Sequence, residues 1–126
     1  MGAVTGVERI AIERVRQVEA EGYDAAHDAE HDGGQLAMAA ACYAACAAGE
    51  QIYVMDEYAS QLRFSDPWPW SDGSDARPYD GNAPKEPTDE QVLRLLEKAG
   101  ALIAAEIDRV LAVRAASDKR KGRKHA

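Results

Sequence analysis

Apolar residues recur at helical spacing along three stretches of the chain. Val7, Ile10, Ala11, Val15 and Val18 repeat at intervals of three and four, and Gly22 can take the left-handed conformation that stops a helix. The spacing predicts a first helix over 5–21. Asp32 followed by Gln35 has the form of a capping box, and the run after it predicts a second helix over 33–48, with Gly49 as its stop. Thr88 and Gln91 form the same pattern, with Asp89 and Glu90 placed to complement the positive end of a helix dipole. Behind them Val92, Leu95, Leu96, Ala99, Leu102, Ile103, Val110 and Val113 make one apolar stripe, so a third helix is expected to about Ala115. The segment "EQIYVMDEYASQLRF", 50–64, reads as a further helix, although Ile52, Tyr53, Val54 and Met55 also suit a strand. The expected fold is all-α: a small bundle of three to four helices in one domain over 1–117, carrying a long loop at 64–87.

The second helix is unusual in having no polar side. "LAMAAACYAACAA" carries no charge anywhere around its circumference, and partners in a chain this short leave an apolar flank. A second copy covering that flank predicts a homo-oligomer through the Ala-rich helix 33–48. The alternative is that 50–64 folds back over it. Two charges also interrupt stripes that are otherwise apolar. Arg14 falls among Ile10, Ala11 and Val18, and Glu106 among Ala99, Ile103, Val110 and Val113, so each needs a partner or a ligand. They are expected to share one polar site on facing helices. One reading pairs them with each other; the other makes them, with Gln17 and Lys98, a pocket for an anionic or amide-bearing molecule.

Chemistry gathers in two further places. Asp24, His27, Asp28, His31 and Asp32 form a tandem repeat in which His27 and His31 have the spacing of two ligands on one helical face. With Asp32 read as a cap, the repeat falls in a connection, and a corner in which a His is held by an Asp is preferred over a metal site. The loop "FSDPWPWSDGSDARPYDGNAPKEP" offers Trp68, Trp70 and Tyr79 beside Arg77: flat faces that stack on a ring, or that pin the loop to the helices.

Charge narrows the partners. The formal net charge is −7, yet Lys119, Arg120, Lys121, Arg123 and Lys124 crowd the end, so the body is more acidic than the whole. Such a body repels nucleic acid, and the basic run 118–126 reads as a disordered tail. Cys42 and Cys46, one turn apart in an Ala-rich run, read as free buried thiols of a reducing cytoplasm. With no signal segment and no spanning run, no membrane role is expected.

The stretches "ERVRQVEAEGY", "HDAEHDGGQLAMAAACYA", "PWPW" and "LEKAGALIAAEIDRV" resemble a family of small phage and prophage proteins, across most of residues 8–110. Its pattern E-R-x-R-Q, E-G-aromatic, H-D-x-x-H, G-[EQ]-L-A, A-A-x-Y-A, W-P-W and K-A-G-A-L-I-x-A-E-I falls on Glu13, Arg14, Arg16, Gln17, Gly22, Tyr23, His27, Asp28, His31, Tyr43, Trp68, Trp70, Lys98 and Glu106. Where the family usually has Trp this chain has Tyr23, and "SDGSDARPYDGNAPKEP" replaces a second Trp pair. The resemblance implies a viral or prophage setting and no particular activity.

Two function classes follow. The first is a binding protein without catalysis or cofactor that takes a nucleotide-like or other anionic small molecule, as an anti-defence factor sequestering a host signal would. Its expected ligand-binding residues are Arg14, Gln17, Tyr23, His27, Asp28, His31, Trp68, Trp70, Lys98 and Glu106, with no metal. The alternative is an enzyme similar to the all-helical nucleoside triphosphate pyrophosphohydrolases, which hold magnesium on E-E-x-x-E and E-x-x-D. This chain has no E-E-x-x-E, and its E-x-x-D are Glu21 to Asp24 and Glu86 to Asp89.

Overall fold

The computed structural model describes residues 4–80 and 83–124. Two of the expected helix starts are built as the sequence suggests. Thr5 Oγ1 accepts from the Glu8 amide at 3.2 Å to open α1, Gly6–Glu21, and Gly22 closes it at φ 73° while its amide donates to the Gln17 carbonyl. At the head of α4, Gln91 N donates to Thr88 Oγ1 at 3.2 Å and Thr88 N to Gln91 Oε1 at 2.9 Å. Two orphan amides are satisfied reciprocally.

The start at Asp32 does not form. Asp24 acts as the cap instead, accepting from the His27 amide at 2.9 Å and opening a short α2 over Ala25–Ala29. The next helix, α3, spans Gln35–Ala47 behind Gly34, which stands at φ 85° with no side-chain cap, and Gln35 Oε1 takes the Gly33 amide at 2.7 Å. Consecutive glycines break the chain after the repeat, so its first Asp caps and its last does not.

The 50–64 segment is not helical. Val54–Tyr58 and Gln61–Ser65 pair antiparallel as β1 and β2, with Met55 opposite Phe64 and Tyr58 opposite Gln61. Ala59 and Ser60 join them with φ of 53° and 64°, the double positive φ of a two-residue hairpin turn. Such turns usually contain Asn or Gly, so nothing in "AS" announces it. All the residues of both strands are exposed, and the hairpin does not cover α3. A second antiparallel pair, β3 (Tyr79–Asp80) with β4 (Ala83–Pro84), closes the connector. The fold is therefore mostly helical, four helices with two small hairpins beside them.

The long α4, Asp89–Lys124, is the element on which α1, α2 and α3 pack. It runs past the expected end at Ala115, and the run expected as a disordered tail is helical through Lys124, with 125–126 outside the described residues. Lys and Arg favour helix and suit the negative C-terminal end of its dipole. The core is the α3–α4 contact: Leu36, Ala39, Ala40, Tyr43 and Cys46 against Leu95, Ala99, Leu102 and Ala105, with Trp68 and Trp70 packed on it. Each fully buried Leu contributes about 1.5–3 kcal/mol. Cys42 and Cys46 are free and buried, and burial pushes both thiols up. Gly100 lets α1 approach α4, since a Cβ there would stand 2.5 Å from Ile10 Cδ1. Among the described residues no helix is long and apolar enough to cross a membrane.

The faces that the helices bury differ from expectation. On α1 the buried residues are Glu13 and Gln17, while Val7, Val15 and Val18 are exposed. On α4 the expected stripe divides: Leu95, Ala99 and Leu102 are buried as expected, whereas Leu96, Ile103, Val110 and Val113 are exposed.

Candidate functional site

The burial of Glu13 organises one side of the molecule. Arg16 Nε and Nη2 donate to its two carboxylate oxygens at 2.7 and 2.8 Å, one turn along the same helix. Arg94 Nη1, from α4, donates to Oε1 at 2.7 Å. Gln17 Nε2 donates to Oε2 at 3.2 Å, and Lys98 Nζ stands 4.0 Å from that oxygen. Burial by itself would raise the carboxyl, but the Arg16 and Arg94 guanidinium groups outweigh it and hold Glu13 at about 2. Lys98 moves the opposite way. Its burial, reinforced by the Arg94 charge, lowers it below an ordinary lysine against the weaker pull of Glu13.

Lys98 also lines a cavity of about 220 Å³. Tyr23, Tyr43, Trp68 and Trp70 form its aromatic wall, and Gln17, Glu21 and Ser74 its other polar side chains. α1 contributes Gln17, the α1–α2 corner Tyr23, α3 Tyr43, α4 Lys98, and the connector both tryptophans. The rings are continuous. Tyr43 meets Trp68 edge-on at 5.0 Å, Trp68 meets Trp70 at 5.6 Å, Trp70 meets His31 at 5.2 Å, and His27 stacks on Tyr23 at 4.5 Å. Burial raises Tyr43 to about 12, against the hydrogen bond from the Ala76 amide. Three atoms of the lining side chains are buried without a hydrogen-bond partner among the described residues: Gln17 Oε1, Trp68 Nε1 and Trp70 Nε1. Unpaired buried polar atoms each cost about 1–3 kcal/mol, and all three are enclosed by the lining side chains with almost no accessible surface of their own.

The connector is fastened by a second buried charge. Arg77 Nη2 donates to Asp66 and Asp75, each at 2.7 Å, and Nε donates to Asp75 at 2.9 Å. Its guanidinium lies 5.0 Å from the Trp68 ring centre and 4.8 Å from that of Tyr79. Burial would lower Arg77, but the Asp75 and Asp66 hydrogen bonds outweigh it and raise it. The aromatics thus pin the loop as well as wall the cavity.

Of the residues expected to form a site, Gln17, Tyr23, Trp68, Trp70 and Lys98 meet at this cavity. His27 and His31 line an adjoining hollow of about 40 Å³ that shares Tyr23 and Trp70. His27 Nδ1 lies 3.2 Å from Asp28 Oδ1, the Asp-held histidine corner expected, and the His27 and His31 Nε2 atoms are 3.4 Å apart. Among the described residues no group of three or more His, Cys, Asp or Glu side chains is placed to hold a metal ion.

Arg14 and Glu106 are not brought together. Arg14 donates to the Tyr23 carbonyl at 2.9 Å and to Asp28 Oδ2 at 2.8 Å, whereas Glu106 accepts from Arg109 Nε at 2.5 Å. Ile10, at one edge of the stripe containing Arg14, meets α4 at Gly100, and the buried residues of α1 that need a partner there are Glu13 and Gln17. Arg14 and Asp28 instead border a separate, mostly apolar hollow of about 380 Å³ with Ala112 and Val113. It is larger, but the Arg14 and Asp28 charges on its rim satisfy each other. Glu13, Arg16 and Arg94 were given no role from the sequence. The available signal was a carboxylate with cation and amide at i+3 and i+4, Glu13 to Arg16 and Gln17.

Compared with family models, with curated proteins and with solved structures, the chain matches none.

Proposed function

We propose that the protein binds a nucleotide-like or other anionic small molecule without transforming it, placing a flat ring against Tyr23, Tyr43, Trp68 and Trp70 and an anionic group at Lys98. The observation that carries this reading is the place of Lys98, which lines the aromatic cavity with no carboxylate closer than 4.0 Å among the described residues. Glu13 is already occupied by two guanidinium groups at 2.7 Å, while Lys98 is 4.0 Å away, half-buried and on the cavity wall. A cation in that position is stabilised by an incoming anion, and stacking on aromatic faces adds about 1–3 kcal/mol for a base. With the resemblance to phage and prophage proteins, the reading extends to sequestration of a host nucleotide signal. The hydrolase alternative gains no support, because the acids of Glu21, Asp24, Glu86 and Asp89 form no metal-holding group among the described residues.

Native mass spectrometry of protein purified from phage-infected cells tests retention of a small molecule. In vitro, nucleoside monophosphates should change the fluorescence of Trp68 and Trp70, the two tryptophans of the chain. Lys98→Met should weaken binding tenfold or more. No retained molecule, with no fluorescence response to nucleotides at millimolar concentration, overturns the reading.

The protein is further proposed to work as a homo-oligomer in the cytoplasm. Exposed Ala37, Ala41, Ala44 and Met38 on α3 support this, as do the exposed apolar stripes of α1 and α4. Light scattering at micromolar concentration should give a multimer, which Ala41→Glu or Ile107→Glu disrupts. A monomer overturns it.

A further inference from the structure

We infer that the β1–β2 hairpin is an arm by which two copies of the chain clasp each other: its face bearing Met55, Leu62 and Phe64 lies on the exposed apolar stripe of α4 in the second copy, with Glu57 of the arm against Arg114 at the end of that stripe. The inference rests on the homo-oligomer reading above and assigns its contact surfaces.

Strand pairing sorts the hairpin side chains onto two faces. Asp56 and Tyr58, with Arg63 and Gln61 opposite them, share a face that is satisfied within the chain. Arg63 donates to both Asp56 carboxylate oxygens at 3.1 and 3.3 Å, and its guanidinium stands 4.6 Å from the Tyr58 ring centre. Met55, opposite Phe64, and Leu62, opposite Glu57, share the other face, and these three apolar side chains are 59, 64 and 64 % exposed. A two-stranded hairpin is at best marginally stable alone in water and holds when an apolar face is packed. No residue of either strand is buried in its own chain.

The α4 helix offers the matching surface. At about 3.6 residues per turn, Leu96, Ile103, Ile107, Val110 and Arg114 fall in one narrow arc, and all five are exposed. The open area is that of a subunit. The chain exposes 8698 Å², whereas a compact monomer of 13.6 kDa exposes about 6,600 Å². The surplus of roughly 2,000 Å² is of the order that each subunit of a permanent oligomer buries, about 1,000–2,500 Å². A second copy is the partner that uses both surfaces at once, since each chain presents an arm and a stripe and a two-fold axis joins them reciprocally. Charge agrees. Glu57 and Arg114 form no ion pair with another described residue, unlike their neighbours Asp56, paired with Arg63, and Arg109, paired with Glu106.

Sedimentation equilibrium of the full chain tests the arm. The parent should be multimeric at micromolar concentration, and the double variant Met55→Ser with Phe64→Ser should weaken association tenfold or more with its helical circular dichroism unchanged. Glu57→Arg and Arg114→Glu should each weaken association tenfold or more by setting like charges together, and combining them should restore it towards the parent. Should the serine variant lose helix, the charge pair decides by itself. Weakened association without rescue in the combined variant places the arm elsewhere than on the α4 stripe and overturns the contact. A multimer indifferent to all of these changes overturns the arm and leaves the oligomer reading standing on α3. A monomeric parent overturns both.

Discussion

Glu13 and Arg77 are both withdrawn from water and opposite in sign, and the molecule neutralises them differently. Arg77 lies in the connector against two carboxylates at 2.7 Å, with the ring centres of Trp68 and Tyr79 at 5.0 and 4.8 Å from its guanidinium, so its charge is both hydrogen-bonded and stacked. Glu13 lies between helices and gathers Arg16, Arg94 and Lys98, while Glu21 also takes Arg16 at 3.0 Å and Glu97 takes Arg94 at 3.1 Å. The connector cluster is closed on itself and holds the loop. The helical cluster is open at one point, where its least closely paired member, Lys98, lines a cavity together with Glu21.

The sharpest way to break this comparison is to remove each central charge. Arg77→Met should destabilise the protein by about 3–5 kcal/mol in denaturant unfolding, because Asp66 and Asp75 lose their shared cation and Trp68 its stacked partner. An unchanged midpoint would mean that the loop is held by something other than this cluster.

Glu13→Gln should cost about 3 kcal/mol near neutral pH and, more tellingly, change the acid limb of stability. The carboxyl is lowered in the folded protein from 4.5 to about 2. Its contribution is therefore complete above pH 4.5, declines as the pH falls through the interval to about 2, and is lost below it. Unfolding free energies at pH 6 and pH 3 should differ less in Glu13→Gln than in the parent. Equal pH slopes would place the Glu13 carboxyl at its ordinary value and dissolve the cluster.

Removing a single guanidinium should matter less. Arg16 and Arg94 side chains are 36 % and 40 % exposed, so Arg16→Met or Arg94→Met should each cost no more than about 1 kcal/mol, one guanidinium covering for the other. The double variant should exceed the sum of the two, which a double-mutant cycle measures.

Lys98→Met should have the smallest effect on folding, within about 1 kcal/mol, because it exchanges a poorly paired half-buried cation for an apolar stem of similar length. Its effect should fall on ligand affinity instead. A stability loss as large as that of Arg77→Met, with binding unchanged, would make the helical cluster structural as well.

The same contrast separates what was legible in the chain from what was not. Thr88 with Gln91 and Gly22 were readable as helix signals, because a cap or a stop depends on residues within a few positions. Trp68, Trp70, Gln17, Tyr23 and Lys98 were readable as candidates, since aromatic and charged residues stand out in an apolar pattern. The hairpin over Val54–Ser65 was not, because "AS" is a poor signature for the turn that Ala59 and Ser60 adopt. Nor was the pairing of Arg14, which leaves the expected Glu106 for Asp28 in a helix that Asp24, not Asp32, caps.

The sequence by itself determined where the chain is helical along most of its length, through local capping, periodicity and intrinsic preference. It did not determine which side of α1 is buried. The apolar stripe of Val7, Val15 and Val18 was the natural choice, yet Glu13 and Gln17 lie inside and that stripe lies outside. That choice depends on Arg94 and Lys98, which stand on α4 far along the chain from Glu13, with Arg94 81 positions away. Charge pairing over that separation exists only once the helices have packed, and it offsets a desolvation penalty that periodicity alone treats as prohibitive.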